Sequence, residues 1–300
     1  MAAVDAGIER QVSPGLHLPF LGRLVKFCRT QPLGGFGLLV LTVFMLMAIF
    51  APWLAPYSYS KTSLLEQLKS ASAAHLMGTD NLGRDVFSRL IRGARVEMLV
   101  GFGAVSISTT LATLIGMFSG YFGGLADLSV QRFIDIWMAF PGLILLITII
   151  AMFEPGQLQV TVAIGLLLTA GASRVVRSAT LETRSRVYVE AAQSIGATDR
   201  RILLHHILPN IFAPIMVITT TQLGLAILLE ATLSFLGYGV PPPEPSWGAL
   251  LGPEARKDIL KAPMLSVWPG VAIFLAVYSF NVLGDALRDV LDPRLRGGRM

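Results

Sequence analysis

Residues 190–209, EAAQSIGATDRRILLHHILP, form a polar break between two long apolar runs. The preceding run covers Gln157–Ser173 and the following run covers Ile211–Leu229. Neither contains Asp, Glu, Lys or Arg. Each run falls within the roughly 17–25 apolar residues that a helix needs to cross a bilayer. The pattern therefore predicts two membrane-spanning helices that are joined by a segment in water.

The composition of the whole chain is typical of a membrane protein. Of its 300 residues 53% are hydrophobic and 14% are charged, whereas soluble proteins carry about 25% charged residues. The net charge is +5, but in an apolar chain an excess of Lys and Arg indicates inner loops, and no nucleic-acid partner is expected. A single cysteine excludes an intramolecular disulfide. The adjacent His205 and His206 cannot reach the same face of a helix, so no metal site is expected.

Six stretches are free of charged residues and long enough to span a membrane. They cover Leu33–Ala55, Met98–Phe122, Ile136–Phe153, Gln157–Ser173, Ile211–Leu229 and Pro263–Gly284. Pro155-Gly156 predicts a tight turn between the third and fourth. The first stretch is too long for the apolar part of a cleavable signal, and no small-residue cleavage site ends it, which predicts a retained anchor. The predicted fold class is all-α, a polytopic membrane protein with six transmembrane helices.

The distribution of Lys and Arg predicts the orientation of these helices. With the N-terminus inside, 15 of the 24 basic residues fall in inner segments, in line with the positive-inside rule. A cluster from Arg84 to Arg95 lies outside and runs against it, and the sequence does not explain its role. We expect both termini inside. The predicted organisation is an inner tail at 1–32, an anchor helix at 33–55, an outer loop at 56–96, a five-helix core at 97–285 containing an inner loop at 174–209, and an inner tail at 286–300.

The inner loop itself is predicted to contain two short helices. Arg184–Ser194 forms the first, and Gly196 ends it because glycine adopts a left-handed conformation at little cost. Thr198 is placed to cap the second, and Asp199 favours its first turn. That helix is expected to continue to Pro209. The apolar side of the first helix is predicted to carry Val187, Tyr188, Ala191 and Ala192.

Fixed points in this loop resemble the EAA loop of bacterial ABC-importer permeases. In that loop EAA is followed by three residues, Gly, nine residues, Ile, any residue and Leu-Pro. Here Glu190-Ala191-Ala192, Gly196 and Leu208-Pro209 stand at those places. His206 stands where the loop has Ile, and the resemblance gives no account of it.

The resemblance extends along most of the chain. The matching motifs are HLMGTDNLGRDVFSRLIRGARVEMLVG (75–101), RFIDIWMAFPGLIL (132–145), EATLSFLGYGVPPPEPSWGALL (230–251) and NVLGDALRDVLDPRLR (281–296). Together they are similar to the dipeptide/oligopeptide/nickel ABC-importer permease family, and within it to the C-type subunit. The architecture that this implies is that of a type I ABC-importer permease.

The resemblance also implies a function and partners. The chain would form half of a pathway for short peptides in the prokaryotic cytoplasmic membrane, beside a B-type permease. An outer binding protein would deliver substrate, and two ATPase subunits or one fused ATPase would hold ATP and Mg. The sequence has no G-x-x-x-x-G-K-[ST] phosphate loop, so the chain is expected to bind no cofactor and to be no enzyme alone. The ATPase-coupling residues implied are Glu190, Ala191, Ala192, Gly196, Asp199, Leu208 and Pro209.

Some alternatives stay open at this stage. The substrate can be a nickel complex or another small solute of the same family. A self-contained secondary transporter or channel is the alternative of a different class, but it would place ionisable residues in mid-span. Glu230 follows the fifth stretch and is a candidate for the pathway or for a helix-capping role. Trp247 is a candidate for an outer gate or for an interfacial aromatic belt.

Overall fold

The computed structural model describes residues 20–291, which form helices and, within that range, no β-strand. The first six helices are α1 (Phe20–Thr30), α2 (Pro32–Leu54), α3 (Val86–Phe122), α4 (Gly124–Ala139), α5 (Gly142–Ala151) and α6 (Gln157–Arg184). The others are α7 (Val187–Ser194), α8 (Asp199–Arg201) with a π-helical continuation at Ile202–Ile207, α9 (Phe212–Phe235), α10 (Trp247–Leu250), α11 (Pro253–Lys257) and α12 (Met264–Leu291). The outer parts of the two predicted tails, residues 1–19 and 292–300, lie outside the described residues.

Five helices are long and apolar enough to cross a membrane: α2, α3, α6, α9 and α12. The all-α membrane fold is therefore confirmed, and several helices extend past the predicted segment boundaries. α3 begins at Val86, inside the predicted outer loop, and α6 continues to Arg184, inside the predicted inner loop. A search for charge-free stretches ends at the first charge, whereas a helix continues into water beyond the hydrocarbon core. For the same reason α12 extends into the predicted C-terminal tail, and the predicted N-terminal tail contains α1.

The predicted third span is not one continuous helix. In its place α4 and α5 meet at an angle of 89°. Phe140 between them is extended, with φ −81° and ψ 138°, because a following proline disfavours the helical region for the residue before it. Arg132 and Asp135 both lie within α4. Asp135 accepts a hydrogen bond from Arg174 of α6, which holds α4 against α6.

Glycines allow α3 and α6 to pack closely along their length. A Cβ at Gly116 would lie 2.6 Å from the Ser173 carbonyl oxygen, and one at Gly120 would lie 2.9 Å from the Arg177 carbonyl oxygen. The small-xxx-small spacing of GMFSG therefore serves helix packing within this chain, as such spacing does in membrane bundles.

Polar side chains also join the centres of three helices. Gln222 on α9 accepts a hydrogen bond from Ser108 on α3 at 3.0 Å and donates to the Leu168 carbonyl oxygen on α6 at 3.0 Å. Gln222 is buried, and a buried amide must find partners in the absence of water. These contacts fix α9 against the α3–α6 pair.

The first and last candidate spans, α2 and α12, meet at one end of the bundle. Gln31, just before α2, donates to the Asp289 carboxylate near the end of α12 at 3.4 Å. A Cβ at Gly34 would overlap the Cβ of Ala286. The chain therefore enters its first span and leaves its last span at the same end of the bundle.

Candidate functional site

The polar segment after α6 contains a short helix that ends at Gly196. The backbone of Gly196 has φ +80°, and its N–H donates to the Gln193 carbonyl oxygen at 2.9 Å. The Ala197 N–H donates to the Ala192 carbonyl oxygen at 3.0 Å. These two bonds form a Schellman ending, which requires a left-handed residue directly after the helix. The structure confirms the helix end that the sequence predicts at Gly196.

The buried side of α7 differs from the predicted one. Val189 and Ala192 are buried, whereas Val187 is 79% exposed. Tyr188 and Ala191, predicted to lie on the apolar side, are also exposed. The predicted helix began at Arg184, but α6 ends there and α7 starts anew after Arg186. Two turns of helix carry too few residues for periodicity to define which side packs against the bundle.

The exposed side of α7 carries an acidic residue among apolar ones. The side chain of Glu190 projects outward beside Ala191, and Ile195 at the end of the helix is 85% exposed. Val187 and Tyr188 extend this surface at the start of the helix. Apolar side chains grouped at the tip of a projecting element are typical of a contact surface for a partner.

The second half of the segment begins with Thr198 and Asp199. Thr198 occupies the cap position of α8, but its hydroxyl forms no capping hydrogen bond, so the predicted side-chain cap is wrong. The Asp199 carboxylate instead accepts a hydrogen bond from the hydroxyl of Tyr121 at 2.6 Å. Tyr121 lies on the last turn of α3, far away in sequence, and sequence reasoning did not find it.

The π-helical turn after α8 determines which residues around His206 are buried. Leu208 N–H donates to the Leu203 carbonyl oxygen, five residues back, at 2.8 Å, which is the π-helical pattern. Ile202 and Ile207, also five apart, are both fully buried. Ile207 therefore occupies the inward position next to His206, which stays partly exposed. Leu208 is partly buried, and the predicted coupling residue Pro209 is exposed.

A separate apolar cluster holds this segment against the bundle. It combines the buried side of α7 and the π-helical turn with side chains from the adjoining parts of α3 and α6 and from the start of α9. Its buried members are Met117, Tyr121, Val176, Val189, Ala192, Ile202, Ile207, Ile211 and Ile215. The segment is consequently a packed unit with its own small core.

At the other end of the bundle, Glu230 and Trp247 are fully buried. The Trp247 ring nitrogen donates to the Leu90 carbonyl oxygen at 2.9 Å, and its backbone N–H donates to the Glu97 carboxylate at 3.0 Å. The placement of Trp247 in an interfacial belt is therefore wrong. Ser234 donates to Glu230 at 2.6 Å, and the carboxyl groups of Glu97 and Glu230 lie within hydrogen-bonding reach of each other. Neither candidate faces open space in this chain.

Ion pairs hold three of the four arginines from Arg84 to Arg95. The Asp80 carboxylate accepts hydrogen bonds from Arg84 at 2.7 Å and Arg89 at 2.8 Å. Arg92 pairs with Glu244 in the proline-rich loop, and Tyr59 donates to the same carboxylate at 3.0 Å. Asp80 and Arg84 thereby form a local ion pair within GTDNLGRD.

A second set of contacts holds the start of α3. Asp85 caps the helix by accepting a hydrogen bond from the Ser88 N–H at 2.7 Å. The other carboxylate oxygen of Asp85 lies 2.9 Å from His75 Nδ1. The outer end of α3 is therefore braced from two sides.

Comparison with known proteins assigns the chain to a family. Residues 112–297 match the family model described as the binding-protein-dependent transport system inner membrane component, and this range includes α7, the π-helical turn and the last helices. The chain belongs to this family. Residues 26–72 also match the N-terminal transmembrane domain of oligopeptide transport permease C.

Two relatives, both transport-system permeases, align with most of this chain. The chain is 42% identical over 260 residues to the dipeptide transport system permease protein DppC of Alkalihalophilus pseudofirmus, covering 87% of this chain and 85% of that protein. It is 40% identical over 272 residues to the glutathione transport system permease protein GsiD of Pectobacterium atrosepticum, covering 90% of each.

A solved structure supports the fold of this permease. The inward-facing MetNI methionine ABC transporter aligns with a TM-score of 0.55 at 19% identity, over 68% of this chain and 96% of that chain. The protein is a multi-pass membrane permease subunit of an ABC importer and is not an enzyme by itself. Family membership decides against the self-contained secondary transporter or channel.

Proposed function

We propose that this permease subunit moves short peptides into the cell, and that α7 and the turn after it receive the motion of ATP-hydrolysing partners. The supporting relatives are permeases named for dipeptides and for glutathione, which is a tripeptide. A nickel complex or another small solute is the alternative substrate within the family.

The observation that carries the coupling role is the exposed side of α7. On this side Val187, Tyr188 and Ile195 are exposed around Glu190. Because the opposite side packs on the cluster with α3 and α6, a push on the exposed side moves the ends of two spanning helices. An element of this kind needs a partner that covers it and moves.

The predicted coupling residues divide into two groups in this arrangement. Glu190 and Ala191 face outward, where a carboxylate can pair with a basic group and a small side chain permits close approach. Ala192, Leu208 and the ring of apolar residues around them face the bundle and hold the element in place. Gly196 sets the angle between the two halves.

The partners follow from this division of labour. A B-type permease would supply the second half of the pathway, two ATPase subunits or one fused ATPase would bind ATP and Mg, and an outer binding protein would deliver the peptide. Both termini and α7 would lie on the cytoplasmic side of the cytoplasmic membrane, since the basic residues are concentrated there.

Reconstitution of the complex tests the transport function. The chain, its B-type partner and the ATPases are placed in liposomes with the binding protein, and uptake of labelled dipeptides, tripeptides and a nickel chelate is measured with and without ATP. We expect ATP-dependent uptake of peptides. Uptake of the nickel chelate alone would replace the peptide with the alternative substrate, and uptake by this chain alone without ATP would contradict the proposal.

The single cysteine makes the orientation easy to test. In a Cys28→Ser background, Ile195→Cys and Leu65→Cys place one reactive thiol on each side of the bundle, at positions 85% and 94% exposed. A membrane-impermeant maleimide should label Leu65→Cys in intact cells and Ile195→Cys only after permeabilisation. The reverse pattern would invert the proposed topology.

A further inference from the structure

Tyr121 connects the inner end of α3 to the second half of the coupling segment. Its hydroxyl donates to the Asp199 carboxylate at 2.6 Å, a short hydrogen bond of the strong type that forms between a hydroxyl and an ionised acceptor. Tyr121 is only 5% exposed. Asp199 is exposed, so the bond joins a buried ring to a carboxylate at the surface of the segment.

The ring of Tyr121 has two further kinds of contact. It belongs to the apolar cluster that includes Met117 and Ile202. The Arg184 guanidinium lies 5.7 Å from the ring centroid, within the range of a cation–π contact. Arg184 is the last residue of α6. The side chain of Tyr121 therefore links α3, the end of α6 and the start of α8.

The hydrogen bond between Tyr121 and Asp199 lies on the far side of Gly196 from α7. α7 lies before Gly196 and Asp199 lies three residues after it. A Cβ at Gly196 would meet nothing within 4 Å, so no neighbouring atom restrains the backbone at this residue. The part after the glycine is held by the apolar cluster and by the hydrogen bond to Tyr121, and these contacts keep rotation at Gly196 from absorbing a movement of α7.

We propose that Tyr121 is a positioning residue that fixes the second half of the coupling segment to α3, so that movement received by α7 displaces α3. This rests on the proposed function. α3 has 37 residues and is ~55 Å long. Tyr121 lies at one end of it, and Arg92 with its Glu244 partner lies near the other. The same helix therefore joins the coupling segment to the outer loop that holds Trp247.

Hydrogen exchange tests the positioning without any need for the partners. Tyr121→Phe keeps the ring and removes only the hydroxyl, Asp199→Ala removes the acceptor, and Asp199→Asn retains an acceptor oxygen. In purified permease, amide exchange over residues 199–208 should accelerate roughly tenfold in Tyr121→Phe and Asp199→Ala and stay close to wild type in Asp199→Asn. Tyr278→Phe on α12 is the matched control. Unchanged exchange in Tyr121→Phe would overturn the proposal.

Coupling is then measured in the reconstituted complex at equal content of assembled subunits. Peptide uptake per ATP hydrolysed should fall roughly tenfold in Tyr121→Phe and Asp199→Ala, with no further loss in the double variant. A purely structural role would reduce the amount of complex but leave this ratio unchanged, and that result would overturn the proposal. If the wild-type complex shows no ATP-dependent uptake, the proposed function fails, whereas the exchange experiment still judges the contact.

Discussion

The guanidinium of Arg92 binds both carboxylate oxygens of Glu244, at 3.0 and 2.8 Å, across 152 residues of sequence. A planar guanidinium and a carboxylate match in this bidentate geometry. Tyr59 stacks under Arg92, with 5.0 Å between the guanidinium carbon and the ring centroid. The three residues thereby join the segment after the first span, the start of α3 and the proline-rich loop before Trp247.

Loss of this pair should loosen the outer end of the bundle. In Arg92→Gln the carboxylate of Glu244 keeps only the Tyr59 hydroxyl, and we expect the melting temperature of the purified protein to fall by roughly 2–6 °C. Scanning fluorimetry in detergent measures the change. Arg95→Gln, which removes the same charge from an exposed position of α3, is the matched control. Equal shifts in the two variants would show that the bidentate pair contributes nothing specific.

The same pair predicts a pH dependence. The hydrogen bond from Arg92 holds the pKa of Glu244 below its ordinary value of 4.5. A carboxyl whose pKa is lower in the folded state stabilises the fold above the unfolded-state pKa, and this contribution is lost as the pH falls through the folded-state value. The stability difference between wild type and Arg92→Gln should therefore be constant from pH 7 to about 5 and shrink at lower pH. A difference that grows on acidification would contradict this assignment.

Local chemistry made part of this structure predictable. Apolar runs locate spanning helices because a bilayer imposes a minimum apolar length, and Gly196 marks a helix end because few other residues adopt its backbone conformation. Both inferences use only neighbouring residues. The break at Phe140-Pro141 had an equally local cause, but a search guided by charge alone passed over the proline.

Long-range contacts account for what the sequence did not reveal. Trp247 was expected at the membrane surface, yet it is buried because Leu90 and Glu97 on α3 satisfy its ring and backbone N–H groups. The partner of Asp199 is a tyrosine 78 residues earlier. Neither pairing follows from the spacing of residues within one segment.

The contact between Glu97 and Glu230 predicts an unusual pattern of substitution effects. Two buried carboxyl groups meet there with few donors, and an amide in place of one would donate to the other. We expect Glu230→Gln to preserve or raise the melting temperature, and Glu230→Leu, which leaves Glu97 and Ser234 without their partner, to destabilise the fold by about 1–3 kcal/mol. Glu154→Gln in the exposed turn after α5 is the control. Equal losses of stability in the Gln and Leu variants would show that a shortage of hydrogen-bond donors does not govern this contact.

Close packing of α3 on α6 predicts a strict requirement for glycine at position 116. A Cβ there would lie 2.6 Å from the Ser173 carbonyl oxygen and 2.8 Å from the Arg177 nitrogen, which are backbone atoms that cannot rotate away. Gly116→Ala should therefore force the helices apart and cost about 1–3 kcal/mol of stability. Gly171→Ala on α6, where a Cβ meets nothing within 4 Å, should leave the melting temperature unchanged or raise it. Equal stability of the two variants would contradict the packing interpretation.

Gly196 offers a test in which backbone conformation alone changes. Because a Cβ at this position meets no atom within 4 Å, a substitution acts through the positive φ and not through a clash. Left-handed backbone costs an ordinary residue about 1–2 kcal/mol, and a β-branched one more, whereas Asn tolerates it. At equal levels of assembled complex, Gly196→Val should therefore lower peptide uptake per ATP hydrolysed several-fold, and Gly196→Asn should stay near wild type. If both variants transport normally, the angle set at Gly196 is not needed for coupling, and if both fail alike, the flexibility of glycine rather than its left-handed conformation is what transport requires.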